Sequence, residues 1–164
     1  LMVFLIFYYR LLGLIADIAL VVYGVLFFAI LTNPWYPFNL TLPGIAGIIL
    51  TVGVAADANV VIFERIKEEV RLGKTLRSAV SAGYSKGFHT ILDANAVIII
   101  TALIIYQVAS AGVKGFALTL IIGVLISMFT AVLATRAMLG ILANLRLFNN
   151  PALMGVKPRK GEQE

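Results

Sequence analysis

The stretch VAADANVVIFERIKEE (residues 54–69) joins a long apolar run to a charged segment, and Asp57 lies inside its apolar part. The apolar run begins at Pro43, so a helix over 43–63 has the length of about 20 residues that crosses a bilayer. In such a helix Asp57 is roughly 21 Å from the Pro43 end, well inside the hydrocarbon. An ionised aspartate near a helix centre costs about 2.5–3.5 kcal/mol on insertion scales, so this residue calls for a partner or a water-filled cavity.

Composition supports a membrane protein. The chain has 164 residues, of which 61% are hydrophobic and 13% charged, and its mean hydropathy is +1.01. This hydrophobic fraction exceeds that of ordinary soluble domains. With no cysteine and a single histidine, His89, neither a disulfide nor a metal site is expected. The net charge is +5, and the lysine and arginine residues lie mostly between the apolar runs. Positive charge in such segments sets membrane orientation, so nucleic-acid binding is not predicted.

The apolar runs predict an all-α membrane protein with four complete transmembrane helices and one truncated helix. No alternating strand pattern competes with this assignment. The complete helices are predicted over 11–31, 43–63, 91–109 and 113–142, and the truncated one over 1–9. A charged connector, 64–90, and a polar tail, 143–164, make up most of the rest.

Lysine and arginine counts predict the orientation. The connector 64–90 and the tail 143–164 are rich in both residues, which places them and the C-terminus in the cytoplasm. The segment 32–41 has no charge and contains Trp35 and Tyr36, as expected of an outer interfacial turn. The truncated helix then approaches the cytoplasm from outside, so we expect a longer polypeptide upstream of Leu1.

The connector 64–90 mixes charges of both signs at helical spacing, with Gly73 and Gly83 as interruptions. This pattern favours a cytoplasmic amphipathic hairpin that lies along the interface and meets anionic lipid. The alternative is a docking surface for a cytoplasmic partner. The tail is rich in turn formers and polar residues, and disorder is expected there.

Several further polar residues lie within the apolar runs. Asp17 and Asp93 follow the predicted cytoplasmic starts of their helices, where head groups and water are near. The triplet Asp-Ala-Asn occurs twice, ending at Asn59 and Asn95, in helices of opposite direction. We predict supporting hydrogen-bonding roles for these residues. For Asp57 two roles stay open: a proton pathway, or a protonated side chain that only bonds a neighbouring helix.

The last predicted helix carries small residues at every fourth position, a ridge that lets another helix approach closely. The ridge is Gly115, Thr119, Gly123, Ser127, Ala131 and Thr135. Small residues also precede Asp57 in the 43–63 helix, so close helix packing is predicted near that carboxyl.

The ordered strings LPGIAG (42–47), DAN with FERIKEE (57–69), ILDAN (91–95), VKGFALTL (113–120) and SMFTAVLATRA (127–137) resemble the SecD/SecF family of protein-export membrane proteins, in its SecD branch. The resemblance covers about residues 3–145. It implies most of one six-helix half of a transporter of the RND superfamily, paired with a SecF half beside the Sec channel of the bacterial inner membrane. It also implies that Asp57 serves proton passage with an arginine supplied by SecF.

On this reading the chain is not an enzyme and has no cofactor, and protons or sodium ions serve as the coupling ion. Its expected partners are SecF, the Sec channel, membrane lipid and a translocating polypeptide held by an outer domain that this stretch does not contain. Three alternatives stay open: half of a small-molecule exporter of the same superfamily, an intramembrane aspartyl protease using Asp57 and Asp93, and a passive scaffold. The FERIKEE junction argues against the exporter, and the missing motifs of aspartyl proteases argue against the protease.

Overall fold

The computed structural model describes residues 1–33, 41–135 and 137, and that part of the chain is helical without a strand. The elements are α1 (Met2–Tyr9), α2 (Leu11–Leu31), α3 (Leu42–Arg71), α4 (Leu76–Val108), α5 (Ala111–Thr130) and a π-helical segment, Ala131–Thr135. Helices α2 to α5 are long and apolar enough to cross a membrane. The predicted all-α membrane fold, with four complete helices and one short one, is confirmed.

Residues at the start of α3 fix this helix beside α5. The hydroxyl of Thr41 accepts a hydrogen bond from the Gly44 amide at 3.3 Å, and Pro43 occupies the first turn, where its missing N–H costs nothing. The same hydroxyl donates to the Gly112 carbonyl oxygen at 3.0 Å. The starts of α3 and α5 therefore lie together at one end of the bundle.

The structure corrects the prediction of a separate hairpin over 64–90. Helix α3 has 30 residues and α4 has 33, so each is about 45–50 Å long and extends past a hydrocarbon core of roughly 30 Å. Only a short turn joins them, with Gly73 at φ +82°. Gly83 does not interrupt α4, because it lies inside the helix and packs on the backbone of Ile66. We call this end of the bundle, where α3 ends and α4 begins, the basic end.

Contacts between glycines and their neighbours define the register of the helices. Gly83 faces Ile66 and Gly87 faces Ile62, so α3 and α4 are antiparallel. Helix α3 also runs parallel to α5, since Gly44, Gly47 and Thr51 meet successively later residues of α5: Gly115, Thr119 and Gly123. Helices α4 and α5 pack against each other as well, so the three helices form one mutually contacting group.

Helices α1 and α2 cover a further side of α3. Leu12 and Ile15 of α2 share a buried cluster with Ile62 of α3. At the basic end the buried ammonium group of Lys67 lies 4.0 Å from the ring centre of Tyr9, which ties α1 to α3.

Some predicted segments lie outside the described residues. These are most of the outer turn 32–41, the end of the predicted helix 113–142, and the tail 143–164.

Candidate functional site

Asp57 lies on an exposed face of α3. Its neighbours Ala55, Ala56 and Ala58 are buried against the rest of the bundle, whereas the side chain of Asp57 is exposed. The basic residue nearest to Asp57 along α3 is Arg65, about two turns nearer the basic end. The carboxyl group is thus presented at mid-depth on the outer surface of this chain.

Asp93 lies beside Asp57 at the same depth. The register set by Gly83 and Gly87 continues with Ile91 opposite Ala58, and both of these residues belong to one buried cluster. One further step brings Asp93 level with Asp57, and Asp93 is also exposed. The expectation that Asp93 lies near the start of its helix is therefore corrected, because α4 begins at Leu76.

The two Asp-Ala-Asn triplets divide their polar groups in the same way. Two residues of helix correspond to a rotation of about 200°, so each aspartate faces outward while its asparagine faces the bundle interior. Asn59 is buried and donates to the Ala55 carbonyl oxygen at 3.3 Å. Asn95 is buried too, and its Nδ2 has no hydrogen-bond partner among the described residues.

Asp17 occupies a separate place. It is 6% exposed, and neither carboxyl oxygen has a hydrogen-bond partner within the described ranges. It follows Gly13 by about one turn of α2, and Gly13 packs on the backbone of α1 at Leu5 and Ile6. Asp17 therefore lies on the α1 side of α2, and it does not share the open face that carries Asp57.

The predicted ridge of α5 lies against α3. A Cβ atom on Gly123 would approach Thr51 to 2.5 Å, and one on Gly47 would clash with Thr119. The buried hydroxyl groups of Ser127 and Thr130 bond carbonyl oxygens of their own helix, at 2.8 and 3.0 Å. These two groups are satisfied within their own helix, whereas the buried hydroxyl of Thr119 also donates to the Gly44 carbonyl oxygen of α3 at 3.4 Å, so close packing and one hydrogen bond hold the helices together. Ala131 is buried as well, whereas nothing is described for the side chain of Thr135.

A network of ion pairs at the basic end was missed by the sequence analysis. The carboxylate of Glu69 is 1% exposed and lies 2.5 Å from Lys74 Nζ and 2.6 Å from Lys86 Nζ. Hydrogen bonds from these two lysines hold the pKa of Glu69 below its usual range. Arg65 pairs with Glu68 at 2.8 Å nearby. The spacing of charges in the sequence hinted at pairs, but the partnership across the turn required the fold.

An open cleft of about 510 Å³ lies where these pairs meet the surface. It is lined by Arg65, Ser85, Lys86, His89 and Thr90. The described residues contain no group of three or more histidine, aspartate or glutamate side chains that could hold a metal ion.

Comparison with known proteins gives consistent results. A model of the MMPL family matches residues 2–163. The protein translocase subunit SecD of Acidaminococcus fermentans is 51% identical over 154 residues, which are 94% of this chain and 36% of that protein. SecD of Desulfurispirillum indicum is 53% identical over 136 residues, or 83% of this chain and 26% of that protein.

Solved structures agree with the sequence matches. The crystal structure of SecDF from Thermus thermophilus, described as a translocon-associated membrane protein, has a TM-score of 0.80 and 42% identity, and it covers 87% of this chain and 20% of that one. The super-membrane-facing form of SecDF gives 0.80 and 41%, with 87% and 19% covered. These matches confirm the resemblance to the SecD/SecF family, and the chain spans about a third or less of the length of these relatives.

Proposed function

Since the chain belongs to the MMPL family, and its relatives include SecD, we propose that it is the membrane part of a protein translocase subunit that couples the proton motive force to polypeptide export. It acts in the bacterial inner membrane, with its basic end and its C-terminus in the cytoplasm. The positive charges at the basic end support this orientation.

The exposed carboxyl of Asp57 is the observation that carries the proposal. A charged group at this depth is unfavourable against lipid, and intramembrane carboxyl groups usually face a partner or a wet cavity. A group that can be either neutral or charged in that position changes the free energy of its surroundings each time a proton arrives or leaves. A structural residue would be expected in the bundle interior, as Asn59 and Asn95 are.

A second helical bundle of the SecF kind covers the open face and supplies the positive charge. Neither α3 near Asp57 nor α4 near Asp93 carries a lysine or arginine at this depth. The SecDF structures support the pairing, since this chain covers only a fifth of the longer one. The Sec channel and a translocating polypeptide are further partners of the assembled complex.

The energy available is sufficient for mechanical work. A proton that crosses the full membrane potential releases about 2.3 kcal/mol per 100 mV, so a few protons suffice to bias a conformational cycle. When its carboxyl group is neutral, Asp57 is attracted only weakly to the partner's cation, and when the group is charged the attraction is strong. This change in electrostatic attraction moves the two bundles relative to each other. Sodium ions are the alternative coupling ion, to be tested by replacing the proton gradient.

Replacement of Asp57 by asparagine in the complete complex tests the proposal. The amide keeps the size and hydrogen bonds but cannot ionise, so gradient-dependent export should fall by about tenfold or more while the complex still assembles. Thr101→Val is the matched control. It removes an exposed hydroxyl of α4 that bonds only the Val97 carbonyl oxygen of its own helix among the hydrogen bonds described, so export should be unchanged. Asn59→Asp is unsuitable as a control, because it would place an ionisable group in the bundle interior. Undiminished gradient-dependent export in Asp57→Asn would favour a passive scaffold.

A further inference from the structure

One exposed face of α4 is polar on one side of Asp93 and apolar on the other. From Asp93 toward the basic end this face is polar, and its exposed members recur at helical spacing: Ser85, Lys86, His89, Thr90 and Asp93. From Asp93 toward the other end the same face is apolar and exposed, with Val97 65%, Ile100 58% and Ile104 58% accessible. Water can therefore follow α4 from the basic end as far as Asp93. The next exposed polar side chain on this side of the helix, Thr101, lies about two turns further on, and its hydroxyl is bonded to the Val97 carbonyl oxygen.

Helix α3 borders the same path. Glu68 lies on its exposed side about three turns from Asp57, whereas Glu64 pairs with Lys67 at 3.3 Å, next to α1. Glu68 binds Arg65, and Arg65 lines the cleft together with Lys86 and His89 of α4. The exposed polar sides of the two helices thus meet at the cleft, and along the helices Asp93 lies one turn beyond His89 and Asp57 about two turns beyond Arg65.

His89 is held in an orientation that suits proton transfer. Its Nδ1 lies 2.8 Å from the Ser85 carbonyl oxygen, which can only accept a hydrogen bond. In the neutral ring Nδ1 therefore carries the hydrogen, and Nε2 keeps a free lone pair. His89 is one helical turn from Asp93, about 6 Å along the axis. Imidazole is the side chain whose charge ordinarily changes between pH 5 and 8.

Charged groups around His89 come from both helices. Arg65 is paired with Glu68, and Lys86 is paired with Glu69, which it shares with Lys74. Asp93 lies one helical turn from His89 on the same helix. The two carboxylates therefore offset only part of the positive charge at the cleft.

We propose that the cleft is the cytoplasmic branch of the proton path and that His89 Nε2 receives the proton released at the level of Asp57 and Asp93. This inference rests on the proposed function. The O–H bond of the neutral Asp57 carboxyl breaks, the proton passes along water in the cleft, and an Nε2–H bond forms on His89. The imidazolium then releases that proton to cytoplasmic water, which restores the neutral ring.

Proton release in the reconstituted complex, measured with a pH indicator on the cytoplasmic side, tests the role of His89. His89→Gln should slow release about tenfold, because the amide cannot take up and release a proton. Placing a histidine one turn away, as Ser85→His in the His89→Gln background, should restore part of the rate. The amount of assembled complex and its thermal stability are the folding controls.

The outcomes separate this inference from the proposed function. Asp57→Asn should abolish proton release whatever residue 89 is, and failure of that loss would contradict the proposed function itself. If Asp57→Asn loses proton release and His89→Gln releases protons at the normal rate, only the inference about His89 is overturned.

Water access gives a second test that does not depend on activity. In an otherwise cysteine-free complex, Thr90→Cys and Asp93→Cys should react with a water-soluble thiol reagent added from the cytoplasm, whereas Val97→Cys and Ile100→Cys should react at least tenfold more slowly. Thiolates react and need water to form, so the rates report wetting. Equal rates at all four positions, or no reaction at Thr90→Cys, would contradict a cytoplasmic branch that ends at Asp93.

Discussion

One side of α3 is closely packed against another helix, and another side is exposed. Toward α5 the helix presents Gly44, Gly47 and Thr51, which leave no room for larger side chains at the contact. On its open side it presents Asp57, which contributes nothing to packing within this chain. The comparison indicates that the α3/α5 contact keeps α3 in place, so that a charge can change on the open side without loss of the fold.

The largest expected effect is on the closed side. Gly123→Leu should destabilise the protein by about 3 kcal/mol or more, because even a Cβ at this position would lie 2.5 Å from Thr51. Thermal unfolding in detergent measures the change. Gly24→Leu is the matched control, since nothing lies within 4 Å of a Cβ at Gly24. Similar unfolding temperatures for the two variants would contradict a rigid α3/α5 contact.

On the open side a substitution should change export and leave stability alone. Asp93→Asn should lower gradient-driven export by about three- to tenfold, less than Asp57→Asn, because Asp57 keeps its carboxyl group and only the second carboxyl group at this depth is lost. The unfolding temperature should stay within about 2 °C of the parent. A larger loss of export than in Asp57→Asn would reverse the assigned roles of the two aspartates.

The ion pairs at the basic end should stabilise the turn between α3 and α4 in a pH-dependent way. Because the pKa of Glu69 is lowered in the folded protein, its contribution is present above the pKa of the unfolded chain and disappears as the pH falls through the lower, folded value. Unfolding measured from pH 7 down to pH 3 should show this loss in the parent. Glu69→Gln should be less stable at pH 7, and its deficit should shrink as the pH falls; a deficit that is constant with pH would argue against the pairs.

The smallest effect is expected in the bundle interior. Asn95→Leu should change stability by less than about 1 kcal/mol or increase it, because the Nδ2 group has no hydrogen-bond partner within the described ranges and an apolar side chain of similar size avoids that cost. Chemical or thermal unfolding tests this. A loss above 2 kcal/mol would mean that Asn95 makes a contact through its oxygen that the bundle needs.

Sequence patterns predicted the helices well because length and hydropathy alone determine which segments can cross a bilayer. They did not predict how far α3 and α4 extend, since charges at helical spacing suit an interfacial hairpin and a straight continuation equally. The contacts of Gly83 and Gly87 with α3 decide between the two, and these contacts depend on the partner helix.

Depth and direction of the polar residues were harder to predict. The sequence located Asp57 within its helix, but the side on which a residue lies depends on which neighbours pack. In each Asp-Ala-Asn triplet the two polar residues are two positions apart, so they lie on opposite sides of the helix. Once the packing is known, this spacing explains why the aspartates are exposed and the asparagines are buried. The separate position of Asp17 depends on the approach of α1 to Gly13. His89 was considered only as a metal ligand, and its place in the cleft needed both helices.

Infrared difference spectroscopy of the assembled complex tests the central claim most directly, because it observes protonation of a carboxyl group. When a proton gradient is imposed, the account predicts a change in a protonated-carboxyl band that is absent from Asp57→Asn and present in Asp93→Asn. If the band is unchanged by the gradient, or persists in Asp57→Asn, then proton transfer at Asp57 does not drive this protein.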